Sequence, residues 1–200
     1  EKKINTYKIA SNLLVKLKKK IMINLPMVSL ASQLLEKKEI SKKARILKFM
    51  YFTKGKQNYE NIAVDLLPHA ISFILVINGN FLKNFKIKSV KVDKSKWSCK
   101  IIINNIICYF LFTQSKEIKE STLSFKLNED FYKRNHKLLN GEYINTINKN
   151  KRKIISVKNP MTEYLNLLLN NFKNSKNIEL NHRLVLDIIR ITDNLLSWKK

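Results

Sequence analysis

The sequence predicts a single α+β domain: a large, mostly antiparallel (mixed) open-faced sheet with helices packed on one face. Three observations lead there. After Gly79 the chain breaks into closely spaced segments that alternate or are briefly apolar, too short for helices and rich in β-branched and aromatic residues. Two later segments, 161–172 and 182–198, instead carry apolar residues at helical spacing. No internal repeat and no Gly/Ser-rich linker divides the 200 residues, enough to bury one real core.

In order along the chain, Thr6 can cap a helix over 7–20. Ile9, Leu13, Leu14 and Leu17 give it one apolar face, and lysines crowd its last turn, where they suit the helix dipole. Residues 21–25 (IMINL) read as a short strand ended by Pro26. A second helix is predicted over 28–38 (VSLASQLLEKK), with Leu30, Leu34 and Leu35 inward. RILKFMYFT (45–53) is strand-like, and a polar loop around Gly55 covers 54–61. DLLPHAISFILVING (65–79) predicts a helix beginning near Asp65 to Leu67, because proline is tolerated in a first turn but not deeper. Asn78–Gly79 should stop it.

Seven strands are expected next, over 85–92, 97–104, 106–113, 121–128, 129–137, 141–148 and 153–158. In FKIKSVKV, Phe85, Ile87 and, after a shift, Val90 and Val92 point inward against outward lysines, the pattern of a sheet with one wet face. The two closing helices are spaced to pack on a sheet face.

The net charge of +24 points to nucleic acid or an anionic membrane. Lysine, asparagine and isoleucine are, however, over-used together throughout, as expected from an AT-rich coding sequence. Only KLKKK (16–20) and NKNKRK (148–153) are dense clusters. The apolar run from Ala70 to Ile77 is far below the roughly 20 residues of a membrane span, and no membrane association is expected. KLKKKIMINLPMVSLASQ imitates a signal peptide but is internal and interrupted by Pro26. Cys99 and Cys108 form no disulfide framework and, with three dispersed histidines, no zinc spacing, so no metal and a reducing, cytoplasmic setting are expected. Three glycines give neither G-x-G-x-x-G nor a P-loop, and G-x-S-x-G and H-E-x-x-H are absent.

The candidate chemistry rests on Asp65 and His69. Four residues apart, they share one helix face, one turn from each other. Burying both without partners is costly, so they should face a cavity or each other. A carboxylate beside an imidazole orients the ring and stabilises its charged form, which makes a proton shuttle near neutral pH. The plainer alternative is that Asp65 caps the helix and His69 is a satisfied core residue.

The order NLPMVS, LLEKKEISKKARILKFMYF and VDLLPHAISFILVINGN resembles the start of the C-terminal domain of the glucose–fructose oxidoreductase, inositol dehydrogenase and MocA (Gfo/Idh/MocA) family, with its helix opening in D-x-x-x-H. The later meander and the closing NPMTEYLNLLLNNF and LVLDIIRITDNLLSW segments suit that domain. The opening EKKINTYKIASNLL is similar to the family's E-K-P segment and the helix behind it. The resemblance implies a lead-in helix (1–20) from a nucleotide-binding domain absent from this chain, then a substrate and oligomerisation domain (21–200). It implies the substrate-binding half of a nicotinamide-dependent oxidoreductase acting on a sugar, cyclitol or sugar-nucleotide hydroxyl. NAD or NADP would be bound mainly by the missing domain, and this chain alone is not expected to turn over.

Carried over residue by residue, the resemblance makes Lys2, Asp65 and His69 the catalytic set. His69 would exchange a proton with the substrate hydroxyl, Lys2 would polarise that oxygen, and Asp65 would hold His69 or a second hydroxyl. Lys3 stands where the family has proline, and ENIAV stands where glycines often precede D-x-x-x-H. A homo-oligomer through the sheet face is also implied. Two other readings stand beside it. One is a basic RNA- or ribosome-associated protein, motivated by the charge and by aromatics beside lysines in FMYFTKGKQNYEN. The other is a non-catalytic oligomerisation domain of the same fold.

Overall fold

The computed structural model describes residues 5–6, 8–9, 12, 25–55, 59–79, 81–139, 142–171 and 175–198. The described strands are β1 (Ile46–Lys54), β2 (Phe85–Asp93), β3 (Lys96–Ile103), β4 (Ile106–Ser115), β5 (Thr122–Leu127), β6 (Asp130–Leu139), β7 (Glu142–Lys149) and β8 (Lys153–Val157). They form one sheet in the order β2-β3-β4-β1-β5-β6-β7-β8. β1 runs parallel to β4, and every other neighbouring pair is antiparallel. The expected mixed, mostly antiparallel sheet is therefore present, with β1 inserted between two meanders.

Asparagine makes the hairpins. Asn104, Asn105, Asn128 and Asn150 all adopt positive φ, where asparagine is tolerated better than other non-glycine residues. Three of them also aim their amide oxygens at neighbouring backbone N–H groups. Asn128 Oδ1 accepts from Arg45 and Ile46 (2.8 and 3.1 Å), Asn104 Oδ1 from Lys83 and Asn84 (2.7 and 3.1 Å), and Asn150 Oδ1 from Phe131 (2.7 Å). Each turn thus ties its hairpin to the adjoining segment, which fixes register as well as direction.

On one side of the sheet the described residues place α1 (Pro26–Glu36), α2 (Tyr59–Ile77), α3 (Pro160–Asn171) and α4 (Ser175–Leu196), with α2 directly on the strands. α2 is central, lying on β1, β3 and β4 and flanked by α1 and α4. Leu30 and Leu34 of α1 are fully buried, as the spacing predicts. On the covered face Phe110, Phe49, Phe125 and Tyr132 line up in register across β4, β1, β5 and β6, all buried. Phe73 of α2 sits on that row, its ring centroid 4.7 Å from Phe125 and 5.8 Å from Phe49.

Several expectations need correcting. α2 begins at Tyr59, not near Asp65, so Pro68 lies inside it and 59–61 are helix rather than loop. An interior proline removes one helical hydrogen bond, a cost of about 3 kcal/mol. Burial of Ile62, Ala63, Leu66 and Leu67 on the N-terminal side offsets it. Ile87 and Val90 point inward across a bulge, as expected, but Val92 at the strand end is 48% exposed. α4 starts at Ser175, seven residues before the predicted start, because its polar first turns carry no apolar run to announce them. α3, opened by Asn159 as cap and Pro160, packs chiefly on α1 rather than on the sheet. Residues 21–24 of the expected strand and most of the helix expected over 7–20 lie outside the described residues, and Leu25 is the N-cap of α1 rather than a strand residue. No helix among the described residues is long and apolar enough to cross a membrane.

Candidate functional site

Two periodicities set the site. Along α2, residues 69 and 73 are about 6 Å apart on one face. Along β1, residues 49 and 51 are about 6.6 Å apart on one face. With Phe73 seated over Phe49, His69 therefore falls over Tyr51. Their ring centroids are 6.1 Å apart and nearly perpendicular (77°). α2 and β1 thus run in opposite directions, and the row beyond Phe49 carries Phe112, Tyr51 and Leu123 in register.

Beside that row the sheet opens. Pairing of β5 with β6 ends at Ser124 and Lys133, whereas β6 continues against β7 as far as Leu139. Arg134 and His136 lie on the covered face in this one-sided stretch. They line a cavity of about 310 Å³ together with Tyr51, Leu123, Asn145 and others. Arg134 Nη2 donates to Oδ1 of Asn145 (2.8 Å), which is only 2% exposed.

His69 is half-buried and Asp65 is exposed. Burial holds the imidazole below its ordinary pKa of 6.5; the Asp65 charge pulls it up and the Arg134 charge pushes it further down. Among the described residues no hydrogen bond joins Asp65 to His69, so the carboxylate acts on the ring through space. Burial also lowers the Arg134 guanidinium from its ordinary value, against the influence of Tyr51. Neither Asp65 nor His69 lines the cavity itself; His69 stands next to it through its contact with Tyr51, which does. Lys2, the third expected member, lies outside the described residues.

Tyr51, Arg134 and Asn145 were not singled out by sequence reasoning. One signal was available for Arg134. Only five arginines occur in this lysine-rich chain, and Arg183 and Arg190 lie over the rings of Phe81 and Phe85. An arginine kept against a compositional pull toward lysine marks a place that needs a guanidinium.

No group of three histidine, cysteine, aspartate or glutamate side chains could hold a metal among the described residues. Cys99 and Cys108 are free and buried; burial pushes the Cys99 thiol up to about 12 and Cys108 higher still, leaving both unreactive. The aromatics of FMYFT do not make a single stacking platform. Phe49 is core, Tyr51 lines the cavity, and Phe52 lies on the opposite, open face. On that open face Lys48 and Lys100 sit over the ring of Tyr109, at 5.7 and 5.2 Å.

No protein-family model matches the sequence, and no curated protein is similar to it in sequence. Solved structures do match. UDP-N-acetylglucosamine 3-dehydrogenase GnnA from Acidithiobacillus ferrooxidans aligns over 97% of this chain and 68% of its own, at 12% identity and a TM-score of 0.58. The chain has the fold of a dehydrogenase C-terminal domain. The same score is reached by the WlbA (WbpB) dehydrogenase of Thermus thermophilus in complex with NAD and UDP-GlcNAcA, at 11% identity over 98% of this chain and 61% of that one. The MviM dehydrogenase from Clostridium difficile, at 10% identity, covers 92% and 65% with a TM-score of 0.58. The resemblance to Gfo/Idh/MocA-type dehydrogenases is thus shown at the level of fold. This chain spans roughly two thirds of the length of these neighbours.

Proposed function

We propose that this chain is the substrate-binding half of a nicotinamide-dependent oxidoreductase acting on a hydroxyl of a sugar, cyclitol or sugar-nucleotide. Residues 1–20 lead in from the nucleotide-binding half, and 21–200 form the substrate and oligomerisation domain. The reading is carried by one observation: a histidine held below its ordinary pKa stands over Tyr51 beside a cavity lined by amides, hydroxyls and a guanidinium.

The described residues do not themselves fit a dinucleotide. Gly55 packs against Gln114, and Gly79 (φ +86°) ends α2 instead of opening a helix toward a phosphate. NAD or NADP would be held by the other half, and when bound it supplies the hydride chemistry. This chain's part is proton transfer and positioning. His69, neutral at pH 7, accepts the proton of the substrate hydroxyl at a ring nitrogen. Asp65 stabilises the imidazolium that results, and Arg134, pushing the other way, favours passing the proton on. Lys2 is proposed to polarise the same oxygen.

In the full-length protein with NAD or NADP and a panel of sugars and cyclitols, His69→Ala should lower kcat by about 10²-fold or more. Unchanged turnover would remove the proton-transfer role. Self-association through the open sheet face is supported by half-buried Met50, Phe52, Ile107 and Leu111 there.

A further inference from the structure

Arg134 combines partial burial with a buried donor that has no acceptor. At the surface, Lys126, Lys149, Lys153 and Lys158 each pair with a carboxylate, at 2.6–3.5 Å. Arg134 is half-buried, yet among the described residues it forms no ion pair. Its Nη2 bonds to the neutral amide of Asn145, and its Nε is buried with no acceptor at all. The cavity it shares with Tyr51, Ser121, His136, Asn145 and Asn159 contains no acidic side chain; a second cavity that it also lines carries one, the exposed Glu120, which forms no ion pair with it among the described residues. A cation withdrawn from water without a counter-charge is costly, and a planar guanidinium is suited to accepting a carboxylate or phosphate on its edge.

We infer that the substrate carries an anionic oxygen group, a carboxylate or a phosphate, and that Arg134 is its anchor in the cavity. The inference rests on the oxidoreductase reading only for the word substrate; the anion site stands on the geometry alone. Amide and hydroxyl walls match the hydroxyls of a polyol. The cavity of about 310 Å³ adjoins a second of about 590 Å³ that shares Ser121, Arg134 and His136, and both lie within the roughly 300–1,000 Å³ of ligand sites. The ligand class is therefore a sugar acid or sugar phosphate, its anion on Arg134 and a hydroxyl toward His69.

The test is calorimetric titration of the full-length protein with D-glucuronate, D-glucose 6-phosphate and D-glucose. One or both anions should bind about tenfold or more tightly than glucose, the scale of a charge-assisted hydrogen bond. In Arg134→Gln that preference should fall to within about twofold. The ¹⁵N-detected Nε–H resonance of Arg134 in the wild type should shift with the preferred anion and not with glucose, a readout independent of whether the variant folds. A carboxylate and a phosphate are told apart by which of the two ligands carries the preference. Equal binding of all three, binding of none, or a preference that survives in Arg134→Gln overturns the inference. Turnover of neutral sugars with no anion preference would sink the anchor and leave the oxidoreductase reading. Anion preference without hydride transfer to or from NAD or NADP would do the reverse.

Discussion

The site depends on how firmly α2 is seated, and Phe73→Ala tests that seat. Phe73 is fully buried between Phe49 and Phe125, with ring centroids 5.8 and 4.7 Å away. Removing the ring loses its burial and leaves a void between helix and sheet. Such Phe→Ala changes cost about 3–5 kcal/mol, and the tight aromatic neighbours on both sides argue for the upper half of that range. Against a typical domain stability of roughly 5–15 kcal/mol, that is a large fraction. With a urea slope of about 2 kcal/mol/M, the midpoint by far-ultraviolet circular dichroism should fall by about 2 M. Leu169→Ala, on an α3 side chain 65% exposed, should stay within about 0.5 kcal/mol of wild type. A midpoint shift below about 0.5 M for Phe73→Ala would mean that the α2–sheet register is not set as described, and the placement of His69 over Tyr51 would fall with it.

Three further outcomes follow from the same geometry. Because the folded-state pKa of His69 lies below 6.5, the unfolded chain takes up more protons between those two values; His69 therefore makes stability fall as pH drops from 7 through 6.5, and His69→Gln should lose that component in parallel urea titrations, identical profiles counting against it. The Tyr132 hydroxyl donates to the Glu39 carbonyl at 2.7 Å from a buried ring stacked on Phe125, so Tyr132→Phe should cost about 1 kcal/mol in thermal or urea unfolding, and no loss would show the bond to be dispensable. The open face mixes Met50, Phe52 and Leu111 with Lys48, Lys100 and Lys126, so self-association there should strengthen as salt screens the lysines; sedimentation from 50 mM to 500 mM NaCl would read it, and Met50→Lys should abolish it. A protein monomeric at every salt concentration would remove the oligomer.

The sheet was legible because β-strands announce themselves locally. Alternation, β-branched and aromatic content and asparagine breaks locate all seven strands after Gly79 to within a few residues. The α2 start was not legible, because propensity places Pro68 in a first turn, while the buried contacts of Ile62 and Ala63 that hold the earlier turns come from elsewhere in the chain. The α3 packing was hidden for the same reason: its apolar residues say that a face is buried, not that α1 buries it. For the site, a spacing of four was enough to bring Asp65 and His69 together. Tyr51, Arg134 and Asn145 come from three strands, and only the register of the sheet makes them neighbours.

That register also explains why a hollow exists where it does. The Asn128 turn pairs Leu127 with Asp130, and counting outward from it would set Leu123 against Arg134. The pairing stops one step short, at Ser124 and Lys133. β5 instead stays with β1: Thr122 pairs with Phe52, and the Ser121 hydroxyl donates to Thr53 Oγ1 at 3.2 Å. β6 follows β7, so the two halves of the sheet part and leave Leu123 and Arg134 facing across a gap instead of across a ladder. Among the described residues the guanidinium's side-chain partner is Asn145, and its Nε is buried without an acceptor. Had the ladder continued, the same arginine would have been fixed against β5 and the space closed. The candidate site is therefore a consequence of divided strand loyalty at one row of the sheet, with α2 supplying the histidine that overlooks it.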